Sequence, residues 1–236
     1  MAKIYDFLLQ SIQTEFDTVQ ILKQSDRGSV TVARHKGTGE RYIFRQFSGS
    51  GEVYRRLLNV NCPNLPRVLE TGERQGQVAV LEEYIQGDTL EYLLQGALLS
   101  PKDAKSIMLD LCTALWVLHG LGVVHRDIKP DNVILRAGEA VLIDLNASRV
   151  FKAQQGSDTK VLGTVGFAAP EQYGLSQTDQ RADIYALGVL LNVMLTGKHP
   201  SIQLARGKYG RIIQRCTQTN PKNRYKSALH LMEALS

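Results

Sequence analysis

Between Asp183 and Glu233 the sequence has no acidic residue, although the chain carries 23 of them in all. The same interval holds Lys198, Arg206, Lys208, Arg211, Arg215, Lys222, Arg224 and Lys226, more than the whole net charge of +5. Cysteine is scarce. Cys62, Cys112 and Cys216 have neither paired nor metal-like spacing, so a disulfide framework is excluded and free thiols of a reducing cytosol are expected. No apolar run reaches the ~20 residues that a bilayer-spanning helix needs. The longest, IYALGVLLNVML, ends at Leu195. The opening MAKIYDFLL has one lysine and too short an apolar run for a signal peptide. A soluble, cytoplasmic protein is the expectation. There is no Walker G-x-x-x-x-G-K-[ST] sequence, no repeat and no low-complexity tract.

What is present falls into two textures. In the first third, SVTVARH and RYIFRQF alternate apolar and polar residues around the turn KGTGE, which predicts a hairpin. RVLETGERQGQVAVLEEYI repeats the pattern with QG as its turn. Between them EVYRRLLNV has helical spacing and is stopped by Cys62-Pro63. After Gly87 the pattern becomes helical. TLEYLLQGALL is one amphipathic helix. SPKDAKSIMLDLCTALWVLHGLG is a second, with Ser100 as cap, Pro101 in the first turn and Asp103 three residues after the serine. Two short strands, NVILR and AVLIDL, follow, and helices return from Asp183 onward. The spacing predicts a β-rich region at 1–85 and a mainly helical region at 86–236, with a short connection near Glu83 to Asp88.

Between a helix end and a strand lies HRDIKPDN, which sets a histidine, two aspartates, two cations and an asparagine around one proline. It resembles the catalytic loop of eukaryotic-type (Hanks-type) Ser/Thr protein kinases, H-R-D-x-K-x-x-N. Twelve residues after Asn132, IDLNAS stands where that family has D-F-G. GTVGFAAPE ends in the family's A-P-E at Ala169 to Glu171, and ADIYALGVLLNVMLTGKHP and NPKNRY follow in order. The resemblance runs from about Val19 to Leu235, and the texture is similar to kinases of clostridia and related bacteria. It implies an α+β, bilobal fold with an antiparallel sheet in the N-lobe and a helical C-lobe, binding ATP and magnesium between them. Phosphoryl transfer needs positioning and charge neutralisation. By resemblance Asp127 accepts the proton of an attacking hydroxyl and Lys129 sits against the transferring phosphate. Asn132 and Asp144 offer the hard oxygen ligands that magnesium prefers. Glu83 and Ile85 give backbone contacts to adenine, and Val30, Ile43 and Ile134 sandwich the ring. Thr164 matches the threonine that contacts the catalytic aspartate. Thr159 and Thr164 are the regulatory candidates, Thr159 the better one, ordering its segment through Arg126 when phosphorylated. His125, Asp183 and the Glu171–Arg224 pair are expected to be structural.

The match departs from the family in three places. The slots of the glycine-rich loop are Lys23, Ser25, Gly28 and Val30, so only the last glycine and the valine survive. Arg45 stands where the family has a strand lysine, and that exchange is not conservative at a phosphate-positioning site. The lysine's usual partner is a glutamate on the next helix. Here Glu52 on that helix and Glu82, at the back of the nucleotide pocket, are the two acids that could hold Arg45 with its far end reaching the phosphates. Asn146 replaces a glycine and is expected to tolerate a left-handed backbone.

FSGSGEVYRRLL offers G-x-G before a helix but lacks the third glycine and a parallel βαβ context, so it is read as a tight turn. Lys208, Arg211 and Arg215 form one helical stripe, read as a solvated face, with a docking surface for an acidic partner or an anionic surface as the alternative. Nothing points to a specific nucleic acid. A pseudokinase serving as a scaffold or switch is the rival reading, favoured by Arg45 and the depleted glycines and opposed by the intact Asp127, Lys129, Asn132 and Asp144. A sensor domain beyond NPKNRY in a longer protein is left open.

Overall fold

The computed structural model describes residues 2–26, 28–151, 164, 166–173 and 178–236. The chain divides into two compact units, Met1–Cys62 with Pro66–Ile85, and Pro63–Leu65 with Gln86–Ser236.

The first unit is a five-stranded antiparallel sheet with two helices. Its elements are α1 (Ala2–Glu15), β1 (Phe16–Ser25), β2 (Gly28–His35), β3 (Arg41–Ser48), α2 (Glu52–Leu57), β4 (Val68–Arg74) and β5 (Gln77–Glu83), with strand order β1-β2-β3-β5-β4. Both expected hairpins form. The β4–β5 turn uses Gln75 and Gly76, both at positive φ, the backbone that two-residue hairpin loops require. Directly opposed residues share a face, so the register puts Val32, Ile43 and Glu82 on one face, with Val30 opposite Arg45 on the same side. Phe44 and Leu81 point to the other face. That second face is covered by α1, whose Leu8 joins Ala33, Phe44 and Ala79 in a core flanked by Tyr5, Leu9 and Ile12. The sequence reading treats the opening stretch only as a candidate leader and assigns it no helix. Yet Tyr5, Leu8, Leu9 and Ile12 follow the i, i+3, i+4, i+7 rule of an amphipathic helix. The helix lies so close to β4 that a Cβ on Gly72 would collide with the Tyr5 backbone. An ion pair from Arg74 to Asp6 at 2.6 Å fastens the same contact. On the opposite face, the rings of Phe47 on β3 and Tyr54 on α2 are 5.7 Å apart. α2 is shorter than expected, because Leu58 already has extended backbone, well ahead of Cys62-Pro63.

The second unit contains β6 (Asp88–Thr89), α3 (Leu90–Gly96), α4 (Pro101–Gly120), β7 (Val123–Val124), β8 (Val133–Arg136), β9 (Glu139–Leu142), β10 (Arg149–Val150), α5 (Arg181–Thr196), α6 (Gly207–Cys216) and α7 (Ala228–Leu235). The strands pair as β6-β8-β9 and β10-β7. The α4 cap is as anticipated: the Ser100 side chain accepts from the Asp103 N–H. α5 is buried almost all round, which explains its greasy sequence without a membrane. Among the described residues no helix is long and apolar enough to cross one. At Gly188 of α5 a Cβ would collide with that of Cys216 on α6, so the two helices meet backbone to side chain. Buried Asn192 holds the segment after α5 by donating to the carbonyls of Lys198 and Gln203 and accepting from the Ala205 N–H. The three cysteines are buried. Burial pushes the Cys112 thiol up to about 12, which leaves it inert.

Among the described residues, Arg224 is the largest fully buried side chain. Both its terminal nitrogens meet the Glu171 carboxylate, at 2.6 and 2.8 Å. It also donates to the carbonyls of Gln218, Arg181 and Thr219 and lies over the Tyr185 ring.

Candidate active site

The loop from His125 to Asn132 in the second unit is shaped from beneath by Asp183. Its carboxylate accepts the backbone N–H groups of His125 at 2.9 Å and Arg126 at 2.8 Å, and meets His119 Nε2 at 2.8 Å. This fixes Arg126 at φ 72, a left-handed backbone that a long side chain adopts only when its surroundings enforce it. Burial alone would raise the Asp183 pKa. The hydrogen bond from His119, the charges of His119 and His125 and the Arg126 N–H outweigh it and hold the carboxyl below its ordinary range. His125 is fully buried and its Nε2 is 3.1 Å from the Ile143 carbonyl, one residue before Asp144.

Above this support the polar side chains converge. Thr164 donates its hydroxyl to Asp127 Oδ1 at 2.7 Å and receives Lys129 Nζ at 3.0 Å. Asn132 turns its amide nitrogen to the Asp127 backbone carbonyl at 2.8 Å and to Oδ2 at 3.0 Å. Lys129 Nζ is 3.6 Å from Oδ2, with both side chains about one-fifth exposed. Asp127 is therefore an oriented carboxylate that still meets solvent. With its nitrogen committed to Asp127, Asn132 keeps its amide oxygen for another ligand. Asp144 has left-handed backbone and accepts from the Asn146 N–H at 3.4 Å. The oxygens of Asn132 and Asp144 are a donor set that fits magnesium. Among the described residues there is no cluster of three or more His, Cys, Asp or Glu that could hold a metal.

In the first unit, Arg45 and Glu82 are both buried and form an ion pair through Arg45 Nε. Glu82 is one of the two acids considered as its partner. Glu52 engages Arg56 within α2, at 3.1 Å.

A sequence model of the protein kinase domain matches residues 20–235. The chain belongs to the protein kinase family. Among curated relatives, serine/threonine-protein kinase PknB of Mycobacterium tuberculosis is 34% identical over 151 residues, 60% of this chain and 24% of that protein. Serine/threonine-protein kinase PrkC of Bacillus subtilis is 34% identical over 145 residues, 60% of this chain and 22% of that protein. Serine/threonine-protein kinase pkn2 of Myxococcus xanthus is 30% identical over 165 residues, 65% of this chain and 20% of that protein. The chain thus covers less than a quarter of the length of these relatives.

Within this kinase domain the remaining candidates have definite places. Val30 and Ile43 lie on the sheet face that carries Arg45 and Glu82. Glu83 receives the Arg67 N–H on its carboxylate at 3.1 Å, and Ile85 is buried. Ile134 lies on β8 opposite Val141. Gly28 has φ 151, and a Cβ there would collide with the Gln46 carbonyl, so β3 demands this glycine whatever binds nearby. Lys23 and Ser25 are in β1, paired with Val30 and Gly28. The expectation for Asn146 is corrected. The left-handed residue is Asp144, while Asn146 lies inside the short 3-10 turn Leu145–Ala147, whose backbone needs no positive φ. Thr159 lies outside the described residues. Of the basic stripe, Lys208 reaches the Leu235 carbonyl at 3.3 Å and Arg215 lies 4.4 Å from the centre of the Tyr225 ring. Sequence reasoning missed Gln172, which accepts from the Ala169 N–H and donates to the Arg126 carbonyl. Its position directly after A-P-E was the available signal.

Proposed function

We propose that this protein transfers the γ-phosphate of Mg-ATP to a serine or threonine hydroxyl, on a protein substrate or on itself. The carrying observation is the Asp127 carboxylate, held on one oxygen by Thr164 and on the other by Asn132. The substrate hydroxyl oxygen forms the new bond to phosphorus, the bond from phosphorus to the β–γ bridging oxygen breaks, and ADP leaves. Asp127 orients the hydroxyl and takes its proton. Lys129 neutralises charge on the transferring group. Asn132 and Asp144 would hold magnesium, which would neutralise charge on the triphosphate. Val30, Ile43 and Ile134 contact the adenine ring, with Glu83 and Ile85 offering backbone groups, and Arg45 serves the phosphates. Incubation with labelled ATP and magnesium tests this. Label on the protein or on a generic Ser/Thr substrate is expected, falling at least about a hundredfold in Asp127→Asn. Transfer that survives that change sinks the proposal.

A pseudokinase is the second reading. It draws support from Arg45 in the lysine slot and from Lys23 and Ser25 in paired strand positions, where phosphate-cradling glycines are absent. Magnesium-dependent nucleotide binding without transfer would decide for it. Regulation by phosphorylation fits Thr159 better than Thr164, because the Thr164 hydroxyl already bridges Lys129 and Asp127. An acidic partner at Lys208, Arg211 and Arg215 has less support, since two of the three cations have intramolecular contacts.

A further inference from the structure

We infer that Gln172 is a positioning residue for phosphoryl transfer, which orients the Asp127 carboxylate by fixing the peptide group in front of it. The inference rests on the functional reading above and deepens it. Gln172 lies in the short 3-10 turn Pro170–Tyr173 and is 1% exposed. Its Oε1 accepts the Ala169 N–H at 3.0 Å, and its Nε2 donates to the Arg126 carbonyl at 2.9 Å. The backbone partners decide which end of the amide is which, since an N–H must face the oxygen and a carbonyl the nitrogen. One planar group thus ties the segment that carries Thr164 to the loop that carries Asp127.

The bond to Arg126 bears on Asp127 directly. The Arg126 carbonyl belongs to the peptide group that joins Arg126 to Asp127, and the N–H of that same group points to His125 Nδ1 at 3.4 Å. On the other side of Arg126, the N–H goes to Asp183 at 2.8 Å. Both peptide groups around this left-handed residue are therefore held. The carboxylate is met from the same segment as Gln172. Thr164 donates to Asp127 Oδ1 at 2.7 Å, and the Thr164 carbonyl accepts the Ala168 N–H at 3.0 Å. Ala168 adjoins Ala169, so the bonds close a ring: Asp127, Thr164, Ala168, Ala169, Gln172, Arg126 and back to Asp127. A single attachment between segment and loop would act as a pivot, and the second removes it. Ala169 and Arg126 are buried, so backbone groups that lose Gln172 find no water to replace it.

The decisive test is a cycle of Gln172→Met, Asp127→Asn and the double variant, with casein as acceptor, or the chain's own hydroxyls where casein is not labelled. Transfer is expressed per folded molecule, counted from the stoichiometry of Mg-ATP binding, beside melting curves. Gln172→Met fills nearly the same volume without either bond. Its kcat should fall roughly 10- to 100-fold, the scale of a misplaced reacting group, with the Mg-ATP dissociation constant unchanged. The double variant should be no slower than Asp127→Asn, because Gln172 acts only through Asp127. A merely structural role predicts a lower Tm with kcat per folded molecule intact, or losses that add in the double variant. Either result overturns the inference, as does a loss that appears in the Mg-ATP dissociation constant instead of kcat. If Gln172→Met does not fold, Gln172→Asn keeps the amide and withdraws it by one carbon, too short to reach both backbone groups. A kcat equal to the parent's in Gln172→Asn is equally fatal. Absence of Asp127-dependent transfer in the parent overturns the functional reading instead. The clamp is then read from amide hydrogen exchange by NMR: exchange at Ala169 should be about tenfold faster in Gln172→Met, and a rate within about twofold of the parent's refutes it.

Discussion

Arg224→Met removes a cation whose side chain has no exposure and whose partner Glu171 is only 13% exposed. Methionine fills most of the volume, so the cost is electrostatic. Glu171 loses two hydrogen bonds and the carbonyls of Gln218, Arg181 and Thr219 lose theirs. Breaking one side of a buried ion pair costs about 3–5 kcal/mol, a large part of the ~5–15 kcal/mol that holds a typical domain folded. For a protein of this size each kcal/mol lowers Tm by about 2–4 °C, so a fall of roughly 6–20 °C is expected. Urea unfolding followed by circular dichroism gives the free energy, and a thermal scan gives Tm. Arg224→Met/Glu171→Leu should recover part of the loss, since two apolar groups leave no buried charge. A loss under about 1 kcal/mol, or a double variant less stable than the single one, would refute the reasoning.

Three further outcomes are expected. The Asp183 carboxyl titrates below its unfolded value of ~3.9. Its stabilisation is therefore complete above about pH 4 and is lost as pH falls through the lower folded value. Asp183→Asn should be less stable at pH 7 and lose less than the parent between pH 7 and pH 3, which urea midpoints at the two values check. Thr164→Val removes the hydroxyl that donates to Asp127 Oδ1, so kcat should fall about 10- to 100-fold, the scale of a displaced positioning group; an unchanged kcat denies Thr164 any part in orienting Asp127. Gly72→Val forces α1 off β4 and exposes Leu8, at a cost of about 1.5–3 kcal/mol, and hydrogen exchange should become faster in α1; protection equal to the parent's would contradict the described packing.

The parts that sequence made legible are those whose chemistry is local. His125 to Asn132 and the two hairpins each carry their pattern within a dozen residues, and the Ser100 cap is a matter of three positions. The Arg45–Glu82 contact was legible only as one of two options, because strand register produces it and no local pattern encodes register across 37 positions. The Asn146 expectation went astray because the D-F-G analogy assigns the special backbone to the third residue, while this turn puts it on the first. α1 was missed because its opening stretch was weighed only as a leader, although its apolar spacing was readable. Asn192 and Gln172 bond mainly to backbone groups of other segments, which no side-chain pattern reveals.

The helix ahead of the family match also determines what shortening the chain would do. A protein begun at Phe16 would leave Ala33, Phe44, Ala79 and Leu81 without their cover, a flat greasy surface flanked by the β1 strand edge. Such a surface seeks a new lid from whatever is nearest. Trimmed preparations should therefore self-associate as concentration rises.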